Sequence, residues 1–258
     1  MVKRDDQGIV IMNFSGIYRG ESFYEGEKTT WVEVQGLPGS NCYCDEEAYV
    51  QLQEKIREFP LEGIHFIDSG NYHYMSRIWL EKIKQPFRLL VFDNHTDMQP
   101  PAFGGILSCG GWIAAALEEL PLLQEVMLCG PDEEAFLQVL PEFKERSRFL
   151  SRERLRTRTD VLTFFEEIPT DLPLYLSIDK DVLCQADACT TWSQGDMRLA
   201  ELLEYLEIVF RRFDEAGQQI LGTDICGECD PDQQESSASN DRANRALLEI
   251  FAEKRNES

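Results

Sequence analysis

Short apolar runs separated by amphipathic stretches dominate the chain. "GIVIMNF" (8–14), "GIHFID" (63–68), "RLLVFD" (88–93), "EVMLCG" (125–130), "LYLSID" (174–179) and "QILGTDI" (219–225) are of strand length and mostly continuous in their apolar character. That is the pattern of strands covered on both faces. Helical spacing is predicted between them, over 45–57, 74–83, 110–120, 132–139 and 199–216. The segment 199–216, "LAELLEYLEIVFRRFDEA", is strongly amphipathic, with acids early and arginines late, as the helix dipole favours. A last helix is predicted from Asn240, read as its N-cap, to about Lys254. Strands alternating with helices predict an α/β protein with a mainly parallel central sheet between two helical layers. No repeat or composition shift divides the chain, so residues 1–258 read as one domain. Residues 15–44 read as an irregular N-terminal insertion, and residues 226–240 as a polar loop after a strand.

Charge narrows the partners. Lys and Arg number 25 against 47 Asp and Glu, giving a net charge of −22. Such a chain repels phosphate backbones, so nucleic acid is excluded as a partner. No run reaches the ~18 apolar residues of a membrane span, and "MVKRDDQGIVIMNF" lacks the features of a signal peptide. The expectation is a cytoplasmic protein with no membrane partner. The eight cysteines are then expected to be reduced thiols. Cys226 and Cys229 form a lone C-x-x-C with no second pair at zinc-binding spacing, and read as ordinary thiols.

The chemistry concentrates at strand ends, where α/β sheets bind ligands. His73 follows the run at 63–68. Asp93, His95 and Asp97 follow the run at 88–92, and Asp179 and Asp181 close the run at 174–178. Alternate residues of an extended chain share one side, so each set can converge. Four carboxylates brought together repel one another and raise each other's pKa unless a cation intervenes. Six ligands with bridging carboxylates suit two divalent ions better than one. Oxygen-rich ligation with two imidazoles points to Mn²⁺, with Fe²⁺, Co²⁺ or Zn²⁺ as competitors. Two ions about 3.5–4 Å apart can activate a shared water. His65, inside a predicted strand, reads as structural.

At these residues the chain resembles the arginase–agmatinase family, the ureohydrolases. "SGNYHYMS" carries the strand-end His73, "DNHTD" matches the D-A-H-x-D motif, and "SIDKD" matches S-x-D-x-D. The resemblance implies the arginase-like three-layer fold and two Mn²⁺ ions. His73, Asp93, Asp97 and Asp179 would hold one, and Asp93, His95, Asp179 and Asp181 the other. "TDICGECDPD" resembles D-I-x-E-x-N-P and puts Glu228 where the family pairs a carboxylate with the substrate guanidinium. "CGPDEEAF" resembles the loop carrying acids near the substrate's amino end, which makes Asp132 and Glu133 candidates. Trp192, in the altered loop "TTWSQGDM", is a further substrate-side candidate. Departures are informative. Cys184 stands at the third acid of D-x-D-x-x-D, and "FGGILSCGGW" lacks the proton-shuttle histidine, with Cys109 a candidate replacement.

Three readings follow. The first is a binuclear metal hydrolase that releases urea from a small guanidino compound or an arginine-containing peptide, with Asp97 and Glu228 in catalysis. The second is an amide or formimino hydrolase of the deacetylase-like branch. The third is a metal-binding protein without turnover. The resemblance also suggests a homo-oligomer.

Overall fold

A computed structural model describes residues 8–100, 105–232 and 237–257. In chain order the strands are β1 (Ile9–Asn13), β2 (Thr29–Glu33), β3 (Tyr43–Cys44), β4 (Ile64–Phe66), β5 (Phe87–Phe92), β6 (Leu107–Ser108), β7 (Leu123–Cys129), β8 (Ser147–Leu150), β9 (Leu174–Asp179) and β10 (Ile220–Cys226). The helices are α1 (Glu46–Ile56), α2 (Met75–Leu80), α3 (Trp112–Glu119), α4 (Glu133–Leu137), α5 (Pro141–Lys144), α6 (Arg152–Leu155), α7 (Arg158–Glu166), α8 (Leu199–Glu215) and α9 (Ser237–Glu257).

Among the described residues, eight strands form one sheet in the order β2-β1-β4-β10-β9-β5-β7-β8. Every pairing in it is parallel. β1, β2 and β4 form one half of the sheet and β5, β7 and β8 the other, and then β9 and β10 return to fill the gap between β4 and β5. That return brings the ends of β4, β5, β9 and β10 side by side.

The period-two alternation of strands divides the core into two layers. Ile9 and Ile11 of β1, with Leu90 and Phe92 of β5, pack with residues of α7, α8 and α9. Val10 and Met12, with Leu89 and Val91, pack on the other face with residues of α1, α2 and α3. Because both faces are covered, the strands read as continuous apolar runs.

Three features differ from the sequence expectation. Residues 15–44 are not wholly irregular: they contain β2, which extends the sheet as its edge strand beside β1. Its burial is mostly intermediate or exposed, so it lacks the apolar run that marks the central strands. The last helix begins at Ser237, so Asn240 lies inside it and does not cap it. The short elements β8, α5, α6 and α7 also lie beyond what periodicity predicted.

Candidate metal centre

Each predicted ligand lies at the carboxyl end of a central strand or just past it. Asp93 follows β5, Asp179 ends β9 and Asp181 lies in the 3₁₀ turn Lys180–Val182. His73 follows the turn Gly70–Tyr72 after β4. All but His95 are buried.

The side chains gather in two adjoining clusters, one around each imidazole. In the first, His73 Nδ1 lies 3.2 Å from Asp93 Oδ2, 3.1 Å from Asp97 Oδ2 and 3.5 Å from Asp179 Oδ2. In the second, His95 Nδ1 lies 2.8 Å from Asp181 Oδ2 and 3.5 Å from Asp93 Oδ1. The two oxygens of Asp93 therefore face different groups.

Serines orient both imidazoles. Ser177 Oγ donates to Asp224 Oδ1 at 2.5 Å and lies 2.9 Å from His73 Nε2. With its hydroxyl proton given to Asp224, Ser177 accepts from Nε2–H. That leaves the Nδ1 lone pair of His73 turned toward the carboxylates. Ser193 Oγ lies 2.9 Å from His95 Nε2 in the corresponding position. Such outer hydrogen bonds fix the tautomer and aim of metal-binding histidines. Asp97 has a left-handed φ of 47°, and Trp112 Nε1 donates to its Oδ2 at 2.7 Å.

The electrostatics show crowding. Burial and the neighbouring Asp93 charge push the Asp97 carboxyl up to about 7. Burial and the Asp93 charge also raise Asp179, while burial, Asp179 and Asp93 raise Asp181. Burial alone would lower His95, yet its bonds to Asp181 and Asp93 push it up to about 12. His73 is likewise raised against the effect of its burial by Cys226, Asp93 and Asp97. Without a metal, protons supply the positive charge. The donor set fits a divalent cation on independent grounds: His73 Nδ1 and Asp93 Oδ2 are deeply buried and have no hydrogen-bond partner among the described residues.

A cavity of about 140 Å³ opens over the ligands, lined also by Cys42, Tyr43, Gln99, Ser108, Cys109 and Trp192. Trp192 is 42% exposed, donates Nε1 to Asn71 at 2.9 Å and meets His95 edge-on at 5.9 Å. Burial and the Asp97 charge push the Cys109 thiol up to about 12. It therefore holds its proton at neutral pH.

The remaining predicted residues lie elsewhere. Glu228 is fully buried and absent from the cavity lining. It pairs with the equally buried Lys180 Nζ and accepts from Asn240 at 2.7 Å and Asn244 at 2.8 Å. Asp132 caps α4, accepting from Ala135 N at 2.7 Å, and Glu133 accepts from Ser151 Oγ at 3.2 Å. Neither lines the cavity. His65 stacks on Trp79 with centroids 3.6 Å apart, and its burial lowers its pKa to about 3. Reading the sequence missed Ser177, Ser193, Asp224 and Trp112. Ser177 and Asp224 had a local signal, as the serine of "SIDKD" and the first aspartate of "TDICGECDPD". Cys226 is a buried free thiol that donates its S–H to Asp179 Oδ2 at 3.2 Å.

Among the described residues, no helix is long and apolar enough to cross a membrane. The chain is 31% identical over 254 residues to an uncharacterized protein of Thermotoga maritima, covering 95% of this chain and 90% of that one. Its fold is similar to the proclavaminate amidino hydrolase of Streptomyces clavuligerus, with a TM-score of 0.69 at 14% identity over 97% of this chain and 94% of that one. It is also similar to the formimidoylglutamase of Bacillus subtilis, with a TM-score of 0.65 at 14% identity over 96% and 86%. At such identities the two structures speak to fold alone. The arginase family model matches residues 46–252, a span that runs from α1 into α9 and includes every ligand of both groups, and the chain belongs to the arginase family.

Proposed function

We propose that this chain is a metal-dependent hydrolase that cleaves a C–N bond at a guanidino or amidino carbon, with two divalent cations held by His73, Asp93, His95, Asp97, Asp179 and Asp181. One observation carries the reading: His73 Nδ1 and His95 Nδ1 each face a separate carboxylate group, and Asp93 turns one oxygen toward each. Donor chemistry favours Mn²⁺, with Fe²⁺, Co²⁺ and Zn²⁺ as competitors. Cations bound there would lower the pKa of a water and polarise the substrate carbon.

The chain's own residues do the rest. Ser177 and Ser193 hold the imidazoles in the binding tautomer. Asp97, fixed by Trp112 and deprotonated when it holds a cation, would take a proton from the attacking water and pass it to the leaving amine. Trp192, Tyr43 and Gln99 orient the substrate from the cavity wall and limit its access to water. In this reading Glu228 binds Lys180 and steadies the turn that carries Asp179 and Asp181. It is therefore remote from the substrate cation.

The engagement of Glu228 by Lys180 favours a second substrate class. A carboxylate already neutralised has little to offer a guanidinium, so a formimino compound suits the cavity as well as a guanidino one. The deciding experiment incubates metal-loaded protein with arginine, agmatine, guanidinobutyrate, an arginine-containing peptide and a formimino amino acid. Urea, formamide and ammonia are measured, with Asp93→Ala as the blank. Urea selects the guanidino class and formamide the formimino class, and ammonia is assigned to whichever substrate releases it. If the protein binds two metals and releases none of these products, hydrolysis at such carbons is excluded for the substrates tried, and a metal-binding role without turnover takes its place.

A further inference from the structure

Cys226 lies outside the ligand set considered so far, yet it belongs to the same cluster. It ends β10 in register with Asp179, the last residue of β9. Partnered residues of neighbouring parallel strands project their side chains to the same side of the sheet. The approach is close: a Cβ on Gly227, which has a φ of +93°, would meet Asp179 Oδ1 at 2.4 Å. The Cys226 thiol is fully buried and donates to Asp179 Oδ2 at 3.2 Å. That oxygen in turn lies 3.5 Å from His73 Nδ1. Its companion Oδ1 is occupied, accepting from Asp181 N at 2.9 Å.

His73, Asp179 and Cys226 each offer a ligand atom, and the three atoms lie within 4.8 Å of one another. Zinc-type bonds of about 2.0–2.3 Å in a tetrahedral arrangement separate neighbouring donors by about 3.3–3.6 Å. The 3.5 Å between His73 Nδ1 and Asp179 Oδ2 falls in that range, and the 3.2 Å between Cys226 Sγ and Asp179 Oδ2 is an S–H···O hydrogen bond whose proton a cation would replace. A second observation points to a ligand independently. His73 Nδ1, beside Asp179 Oδ2, is deeply buried with no hydrogen-bond partner among the described residues.

We propose that Cys226 is a thiolate ligand to the ion held by His73 and Asp179. This inference rests on the reading of these residues as a metal centre. On binding, the S–H bond breaks, its proton leaves to solvent, and sulfur donates an electron pair to the cation without change of oxidation state. A thiolate in an otherwise oxygen and nitrogen set shifts preference away from Mn²⁺ and toward Zn²⁺, Co²⁺ or Cd²⁺. The ion on the His95 side has no sulfur donor in its group and keeps the harder preference. The two positions therefore differ in metal selectivity.

The test loads the full chain with Co²⁺, counts bound metal, and records the near-ultraviolet thiolate-to-cobalt charge-transfer band. Wild-type protein is expected to show the band, and Cys226→Ser and Cys226→Ala to lose it while the other seven cysteines remain. X-ray absorption of the zinc-loaded wild type, which needs no variant, is expected to give a sulfur shell at about 2.3 Å. Cadmium affinity should fall in Cys226→Ser far more than manganese affinity. An equal loss for every metal, about 10–100-fold, would mark Cys226 as a positioning thiol that orients Asp179, and would overturn the inference. Cobalt uptake with neither the band nor a sulfur shell overturns it too, leaving the metal centre intact. No uptake of any ion overturns the metal centre and this inference together.

Discussion

Asp179 and Asp181 face one buried charged neighbourhood, and Lys180 between them faces another. On the first side, four aspartates and two histidines converge with too much negative charge, and the shortfall is visible as raised pKa values at Asp97, Asp179 and Asp181. On the second side, Lys180 pairs with Glu228, and Asn240 and Asn244 satisfy the remaining lone pairs. Glu21, next to Glu228, is pushed up to about 9 by burial and by that charge, so it stays neutral. The balance there closes within the protein. Equal burial thus has opposite meanings. A charge-balanced network belongs to the fold, even with Glu21 Oε1 unpaired among the described residues, whereas a cluster whose charges do not balance calls for a cation.

Breaking the first neighbourhood should have the largest effect. Asp93→Ala removes the residue shared by both groups, and both metals and all turnover are expected to be lost, as metal analysis and the product assays would show. Breaking the second should act on stability. Lys180→Met leaves Glu228 buried without its cation, and a loss of about 3–5 kcal/mol is expected in denaturant unfolding of the metal-free protein. Lys180→Met/Glu228→Gln should recover part of it. If Lys180→Met instead removed metal without loss of stability, the two neighbourhoods would not be separate.

Acidity sharpens the contrast. His73 and His95 are raised, as are Asp97, Asp179 and Asp181, so the metal-free cluster holds protons that a cation must displace. Affinity is therefore expected to weaken as pH falls, by about tenfold per pH unit for each proton released. The dependence should steepen below about pH 7, where Asp97 takes up its proton as well. Calorimetric titration in buffers of different ionisation enthalpy measures the protons directly.

Smaller effects follow from supporting residues. Ser177→Ala frees the Nε2 of His73 from its relay to Asp224, and about a 10–100-fold loss of metal affinity is expected in competition with a chelating dye. Trp192→Ala, at the cavity wall, should leave metal content unchanged and raise KM by up to about tenfold, the value of one aromatic contact. Steady-state kinetics on whichever substrate the product assays identify would check it.

Legibility in the sequence followed burial and spacing. Central strands were readable because both faces are covered, so β4, β5, β9 and β10 are buried along nearly their whole length and rich in apolar residues. The edge strand β2, with "TTWVE" half in solvent, carried no such pattern. The metal-facing residues were readable because they alternate along the chain just past strand ends, where one local stretch fixes their common direction. Glu228 shows the limit: its motif suggested a substrate carboxylate, and its partners stand 12, 16 and 48 residues away in sequence.

The sequence by itself determined the α/β alternation and the six acidic and imidazole residues at strand ends, since both depend on periods of two and 3.6 within single segments. Only the tertiary structure decided which strands lie adjacent. The return of β9 and β10 into the gap between β4 and β5 sets Cys226 beside Asp179, Asp224 behind Ser177 and His73, and Glu228 against Lys180. None of these pairings has a local signature, because each is made between strands whose order in the sheet differs from their order in the chain.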